Sequence, residues 1–342
     1  MADKTPCLIG GSSYVDIWEA RSTMKLIFLG TSAGAPTKSR NVTGLALQWI
    51  QQGRLWLFDC GEGTQHQFHR APITLSKLDR IFISHLHGDH VFGLPGLMAS
   101  RSAAQGAEAP LTLYGDIELE KLLQTTLSTT HTKIKYPWNL TAAIEGRIYE
   151  DELCTVECRL LKHGIPSYGF AVIEKEQPGE FLPERARAAG VEPGPQFGLL
   201  KGGSDIILPN GALVRSADVV GPPRPGRKIV ICGDTGVTEA ASELAAGADV
   251  LVHEATFMEA QTERAAQVGH STTVQAAAVA KRAGVGQLIL THFSPRYEQD
   301  KLTTMDELLF EARGVFPNTI LAEDFLIYDL PPKREAPTIS TD

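Results

Sequence analysis

The sequence predicts an α/β fold in which sheets are covered by helices, and three observations carry that expectation. Short apolar runs rich in Ile, Val, Leu and Phe recur along the chain, helical patterns fall between or after them, and four of the runs lead into a histidine or an aspartate. The first two describe layers, because a sheet and an amphipathic helix each have an apolar face to bury against the other. The third describes a site, because functional groups in α/β architectures gather at the carboxyl ends of strands.

The elements follow in order. A strand pattern begins at Met24 with Lys25-Leu26-Ile27-Phe28-Leu29-Gly30, and similar runs follow at 45–50, 55–58, 81–83 and 111–114. β-branched and aromatic side chains suit a half-buried pleated surface, so these are read as strands. Helical patterns are expected at about 92–105 and 117–128, then at 237–246, 272–283 and 302–313, around further strands at 229–232, 250–252 and 288–290. Residues 1–23 carry Gly-Gly-Ser-Ser and no periodicity, so they are read as an N-terminal extension outside the core. The main domain is expected over 24–330 and a C-terminal tail over 331–342.

Between about 174 and 206 the pattern breaks, and Pro178, Gly179, Pro183, Gly190, Pro193, Gly194, Pro195, Gly198, Gly202 and Gly203 punctuate the segment. A stretch this long is not a simple connector; it is either a disordered linker or a projecting functional insertion. The helical window 183–189 and the apolar Phe197, Leu199 and Leu200 favour structure.

The 342 residues suffice for one large core or two smaller ones. No stretch approaches the length of a membrane-spanning helix and no signal-peptide pattern opens the chain, so a cytoplasmic location is expected, without a membrane partner. Five cysteines, an odd number, do not form a disulfide framework; Cys154 and Cys158 are read as buried thiols. A net charge of -8 argues against a protein that coats nucleic acid, but not against an enzyme that grips phosphate locally.

The chemistry concentrates in Ser84-His85-Leu86-His87-Gly88-Asp89-His90, directly after the run 81–83. On extended backbone His85 and His87 point to one side, while Gly88 lets the chain turn so that Asp89 and His90 face a second centre. One histidine in such a loop would usually be solvated; three with an aspartate form a donor set that suits Zn²⁺. His66, His69 and His131 are read as solvated.

This His-x-His-x-Asp-His run resembles the metal motif of the metallo-β-lactamase superfamily. His163 in Lys162-His163-Gly164, Asp234 in Gly233-Asp234-Thr235 and His292 in Thr291-His292 stand in the order of that superfamily's remaining ligands. Asp59, in Asp59-Cys60-Gly61-Glu62-Gly63-Thr64, matches the aspartate that supports the histidines from behind, and His253 is given a similar supporting role. Within the superfamily, Gly34-Ala35-Pro36-Thr37-Lys38-Ser39-Arg40-Asn41, His253-Glu254-Ala255-Thr256, His270-Ser271-Thr272-Thr273 and the insertion with Gly194-Pro195-Gln196-Phe197 resemble the ribonuclease Z family.

The resemblance implies a four-layer αββα sandwich with a flexible arm that grips transfer RNA. It implies two Zn²⁺ per subunit, one on His85, His87 and His163, the other on Asp89, His90 and His292, with Asp234 bridging. It further implies a homodimeric endoribonuclease that removes the 3′ trailer from precursor tRNA, with no DNA substrate. Asp89 would act as general base and His270, held by Glu254, as proton donor. Lys38, Arg40, Asn41 and Arg296 become candidates for the acceptor end, and Gly194, Pro195 and Phe197 for the arm's RNA contact. The competing readings are a hydrolase of small phosphodiesters or thioesters on the same fold, which gains nothing from a remote clamp, and a non-catalytic RNA-binding protein.

Overall fold

The computed structural model describes residues 24–106, 108–299 and 304–333. The extension over 1–23 and most of the tail lie outside them. The first sheet begins with β1 (Met24–Gly30), β2 (Gly44–Trp49), β3 (Arg54–Phe58), β4 (Leu78–Phe82), β5 (Leu111–Gly115) and β6 (Trp138–Ala142). The second opens with β7 (Gly146–Glu150), β8 (Cys154–Leu161) and β9 (Ser167–Glu174). A separate hairpin of β10 (Ile206–Ile207) and β11 (Leu213–Val214) intervenes before β12 (Lys228–Cys232), β13 (Val250–Glu254), β14 (Gln287–Thr291) and β15 (Thr319–Leu321) complete the second sheet. The chain then returns to the edge of the first sheet as β16 (Ile327–Leu330). The strand orders are β16-β1-β2-β3-β4-β5-β6 and β15-β14-β13-β12-β9-β8-β7.

Each sheet contains a parallel block, β3 to β6 and β12 to β15. Parallel strands with both faces covered read as continuous apolar runs, which is why these were the strands visible in the sequence. β4 shows the division of labour. Ile81 joins the cluster under the helices with Leu94, Leu97, Met98, Leu119 and Leu123, while Phe82 turns to the other face. There its ring lies 4.9 Å from Phe58, 4.7 Å from Tyr114 and 5.5 Å from Phe170 of β9, so an aromatic layer joins the two sheets. Helices Glu239–Ala245, Thr273–Ala283 and Met305–Val315 pack with the second sheet's parallel block. The order is helix, sheet, sheet, helix, and the layered expectation is borne out.

Local chemistry sets the helix ends. Thr272 and Gln275 form a reciprocal capping box, and Gly284 at φ 63° closes the same helix. Thr304 and Glu307 start the last helix at Met305, later than the expected 302. The helix expected over 92–105 spans Leu94–Ala103, and a separate short helix, Gly88–Val91, precedes it. Phe92-Gly93 is diverted because the Gly93 amide donates to the Cys60 carbonyl at 2.9 Å. Strands β6, β7, β15 and β16 carry polar or exposed positions and do not stand out as apolar runs.

Residues 173–227, with 151–154, form a second compact unit. Its own core joins Ala186, Val191, Leu200, Ile206, Leu208, Val214 and Val219. Outgoing and returning segments pair antiparallel, with bridges Gln177–Arg224 and Phe181–Val220. At their base Arg227 makes a buried bidentate ion pair with Glu174, at 2.7 and 2.8 Å. The unit thus runs on to 227, past the 206 expected from sequence, because the β10–β11 hairpin and helix Ser216–Val219 contribute to the same small core.

No helix among the described residues is long and apolar enough to cross a membrane. Cys60, Cys154, Cys158 and Cys232 are buried and form no disulfide among the described residues.

Candidate metal centre

Strand ends of both sheets deliver the polar residues to one place. Asp59 follows β3, His85 follows β4, His163 follows β8, Asp234 follows β12, Glu254 ends β13 and His292 follows β14. Asp59 and His292 hold left-handed backbone at φ 56° and 58°, a strained conformation for residues other than glycine that concentrates at functional sites. The turn after β3 braces the histidine motif closely. The Cys60 amide donates to the His90 carbonyl at 2.8 Å, and a Cβ on Gly61 would sit 2.3 Å from the Asp89 carbonyl oxygen.

Two groups of donors share Asp234. Side-chain ligand atoms of His85, His87, His163 and Asp234 all lie within 4.8 Å of one another, as do those of Asp89, His90, Asp234 and His292. The hydrogen bonds behind the rings decide which nitrogens carry lone pairs. The Ser84 hydroxyl donates to Asp59 Oδ2 at 2.8 Å and so accepts from His85 Nδ1 at 2.9 Å. His90 Nδ1 donates to Asp59 Oδ2 at 2.8 Å. His163 Nδ1 donates to the Gly269 carbonyl at 2.8 Å, at a glycine whose φ is +75° and whose absent Cβ would lie 3.1 Å from that nitrogen.

The opposite nitrogens of His85, His90 and His163 therefore turn towards the remaining donors. His90 Nε2 and His292 Nε2 are 3.3 Å apart, and each is within 3.4 Å of Asp234 Oδ2. His87 Nδ1 lies 3.0 Å from His85 Nε2 and 3.2 Å from His163 Nε2. Burial, and then the neighbouring His90, pushes His85 down to about 2, which keeps its imidazole neutral. Burial would raise Asp89, but hydrogen bonding to His292 and His90 outweighs it and holds the carboxylate well below its ordinary range. Burial works against a charged His90, but Asp234 and Asp59 outweigh it and favour a proton there. Imidazole nitrogens and carboxylates crowded together in this way suit a pair of divalent cations, whose charge would take that proton's place.

Beside the ligands lies a proton-transfer pair. His270 Nδ1 donates to Glu254 Oε1 at 2.8 Å. Burial opposes the charged imidazole, but Glu254 prevails and lifts His270 to about 9. A cavity of about 280 Å³ opens over His87, Asp89, Asp234, His270 and His292.

The other candidates are distributed differently. His253 is buried and donates through Nδ1 to the Glu254 carbonyl at 2.7 Å; it lies outside all three clusters of ligand atoms found among the described residues. Alternation along β13 gives the site-facing position to Glu254. Lys38 is exposed, and exposed Arg296 donates to Ser294 Oγ at 3.0 Å. Three residues read as substrate contacts have internal partners. Arg40 is turned inward onto Thr31 Oγ1 at 2.6 Å and the Ala322 carbonyl at 2.8 Å. Asn41 donates to the Glu62 carbonyl at 2.9 Å, and Phe197 packs 4.9 Å from Phe181 in the small core. Gly194 and Pro195 remain exposed where helix Pro195–Lys201 begins.

Sequence reasoning missed Ser84, Thr256, the Gly34 amide that donates to Asp89 Oδ2 at 2.7 Å, and the Gly269 carbonyl. They are small hydroxyls and backbone groups, which carry no distinctive pattern.

Comparison with known proteins places these features in context. A family model described as Beta-lactamase superfamily domain matches residues 217–293, and one described as Anti-Pycsar protein Apyc1 matches 24–169. A Ribonuclease Z from Brevibacillus brevis is 52% identical over 302 residues, spanning 88% of this chain and 95% of that one. A Ribonuclease Z from Trichodesmium erythraeum is 50% identical over 308 residues, spanning 90% and 96%. The crystal structure of human tRNase Z, short form, superposes with a TM-score of 0.64 at 30% identity, covering 90% of this chain and 99% of that one. With half its residues shared along nearly its full length, the chain belongs to the ribonuclease Z family of the metallo-β-lactamase superfamily.

Proposed function

We propose that the protein is a metal-dependent endoribonuclease that removes the 3′ trailer from precursor tRNA, leaving a 3′-hydroxyl on the tRNA and a 5′-phosphate on the trailer. The observation that carries this reading is the convergence of seven ligand side chains beside the His270–Glu254 pair, with His87, Asp89, Asp234, His292 and His270 lining one open cavity. We assign two Zn²⁺ per subunit, on His85, His87 and His163 and on Asp89, His90 and His292, with Asp234 shared. When bound, the cations would supply Lewis acidity and a nucleophile available near neutral pH.

The chain's own groups do the rest. Asp89, ionised and oriented by the Gly34 amide, accepts the proton of the attacking water. His270, protonated near neutral pH, donates to the departing 3′-oxygen, while Glu254 fixes its ring and charge. Four donors hold the Glu254 carboxylate in turn: His270, the Thr235 amide, and the amide and hydroxyl of Thr256.

The unit at 173–227 is proposed as the tRNA-holding arm. Its support is its separate core, its Gly/Pro-rich helix start at 194–195, and a length that a small substrate would not require. The segment 174–205 carries Lys175, Arg185, Arg187 and Lys201 against six acidic residues, so it would recognise a folded RNA through shape, backbone amides and a few cations. A homodimer and a cytoplasmic location complete the proposal and rest on the family resemblance.

The test is cleavage of a precursor tRNA by wild type, Asp89→Ala and His270→Ala, with the product's 3′ end mapped and zinc measured. Both variants should lose most activity while remaining folded. Normal cleavage by both would overturn the mechanism, and about two zinc ions per chain without turnover on any precursor would favour a binding protein.

A further inference from the structure

Thr256 is 4% exposed and lies between the two halves of the chemistry. Its hydroxyl is 2.7 Å from Glu254 Oε2, 3.0 Å from His292 Nδ1 and 3.3 Å from His270 Nδ1. It also lies 3.1 Å from the His292 carbonyl, but a single O–H favours the shorter bond to the charged carboxylate. With its proton committed to Glu254, the oxygen accepts from His292 Nδ1–H. That bond sets the tautomer which leaves the His292 Nε2 lone pair directed at Asp234 Oδ2 and Asp89 Oδ2, 3.3 and 3.4 Å away.

We propose that Thr256 is a positioning residue that couples the proton-donor pair to the metal ligand His292 through one hydroxyl. The inference rests on the function proposed above and adds a residue to it. No alternative acceptor for His292 Nδ1 is found among the described residues. The two ends of the coupling are also braced through the backbone, since the Thr256 amide donates to the same Glu254 oxygen at 3.1 Å. A β-branched residue without the hydroxyl would fill the same space, leave His292 Nδ1 without its acceptor and remove a donor from Glu254.

The experiment compares wild type with Thr256→Val and Thr256→Ser. Zinc affinity is measured by competition with a chelator, and kcat and KM are measured on a precursor tRNA. Thr256→Val should weaken one zinc by about 10- to 100-fold and lower kcat of the zinc-saturated enzyme by a similar factor, with KM for the precursor unchanged. Thr256→Ser, which keeps the hydroxyl, should restore both. Wild-type zinc affinity and kcat in a folded Thr256→Val enzyme would overturn the inference, as would failure of a folded serine variant to recover either. A wild type that neither binds zinc nor cleaves would instead refute the functional reading itself.

Discussion

Replacing Glu254 with glutamine should move the alkaline limb of the pH–rate profile towards acid. The reasoning starts from His270, whose charged form Glu254 stabilises across a 2.8 Å hydrogen bond and which is raised to about 9. A raised histidine is fully protonated below its ordinary value and loses its proton as pH rises through the raised one, so donor activity falls on the alkaline side. If neutralising Glu254 returns His270 to about 6.5, the acid form near pH 7.5 drops about tenfold, while near pH 6 the change is less than about twofold. Burial, the largest opposing influence, would carry the variant lower still and enlarge the defect. Bound cations would cancel part of the upward pull from Asp234 and Asp89, which makes about 9 the upper end for the wild-type limb. The assay is single-turnover cleavage of a precursor tRNA across pH at saturating zinc. Because four donors face the carboxylate, unfolding midpoint and zinc content are measured alongside. A variant that remains folded and zinc-loaded yet keeps its limb at the wild-type position would refute the assignment of His270 as the proton donor set by Glu254.

Three further outcomes are expected. Asp59→Asn should lower metal affinity by about 10- to 100-fold, measured by chelator competition, because its carboxylate accepts from the Ser84 amide, the Ser84 hydroxyl and His90 Nδ1. Joining Gln177 to Arg224 through a short glycine turn, a cut placed where the two segments bridge, should abolish precursor cleavage but spare hydrolysis of a chromogenic phosphodiester; equal loss of both in a folded protein would remove the arm from substrate binding. Phe82→Ala should destabilise the protein by about 3–5 kcal/mol in urea unfolding, since the ring is fully buried among Phe58, Tyr114 and Phe170.

The sequence by itself determined the parallel strands of both sheets and the donors placed at their ends. Strands buried on both faces must be continuously apolar, and a ligand directly after such a run stands out by chemical type. It is for this reason that His85, Asp234 and His292 were legible one strand at a time. The sequence also carried Glu254 and His270, though only through resemblance, since nothing in their spacing of 16 residues requires contact. Tertiary structure alone decided which candidates have internal partners. Arg40 looks like a surface cation in its Gly/Pro turn, but Thr31 and the Ala322 carbonyl, 282 residues away, engage its guanidinium. Edge strands such as β7 remained invisible because partial exposure dilutes their apolar pattern. The small unit's extent to 227 depended on Val214 and Val219 closing a core whose other members come from before 209. Thr256 and Ser84 stand within segments that the sequence singled out, but nothing in it assigned either a role. A hydroxyl acquires its role from the groups brought within hydrogen-bond reach, and here those groups meet only when neighbouring strands of one sheet align, β3 with β4 around Ser84 and β13 with β14 around Thr256.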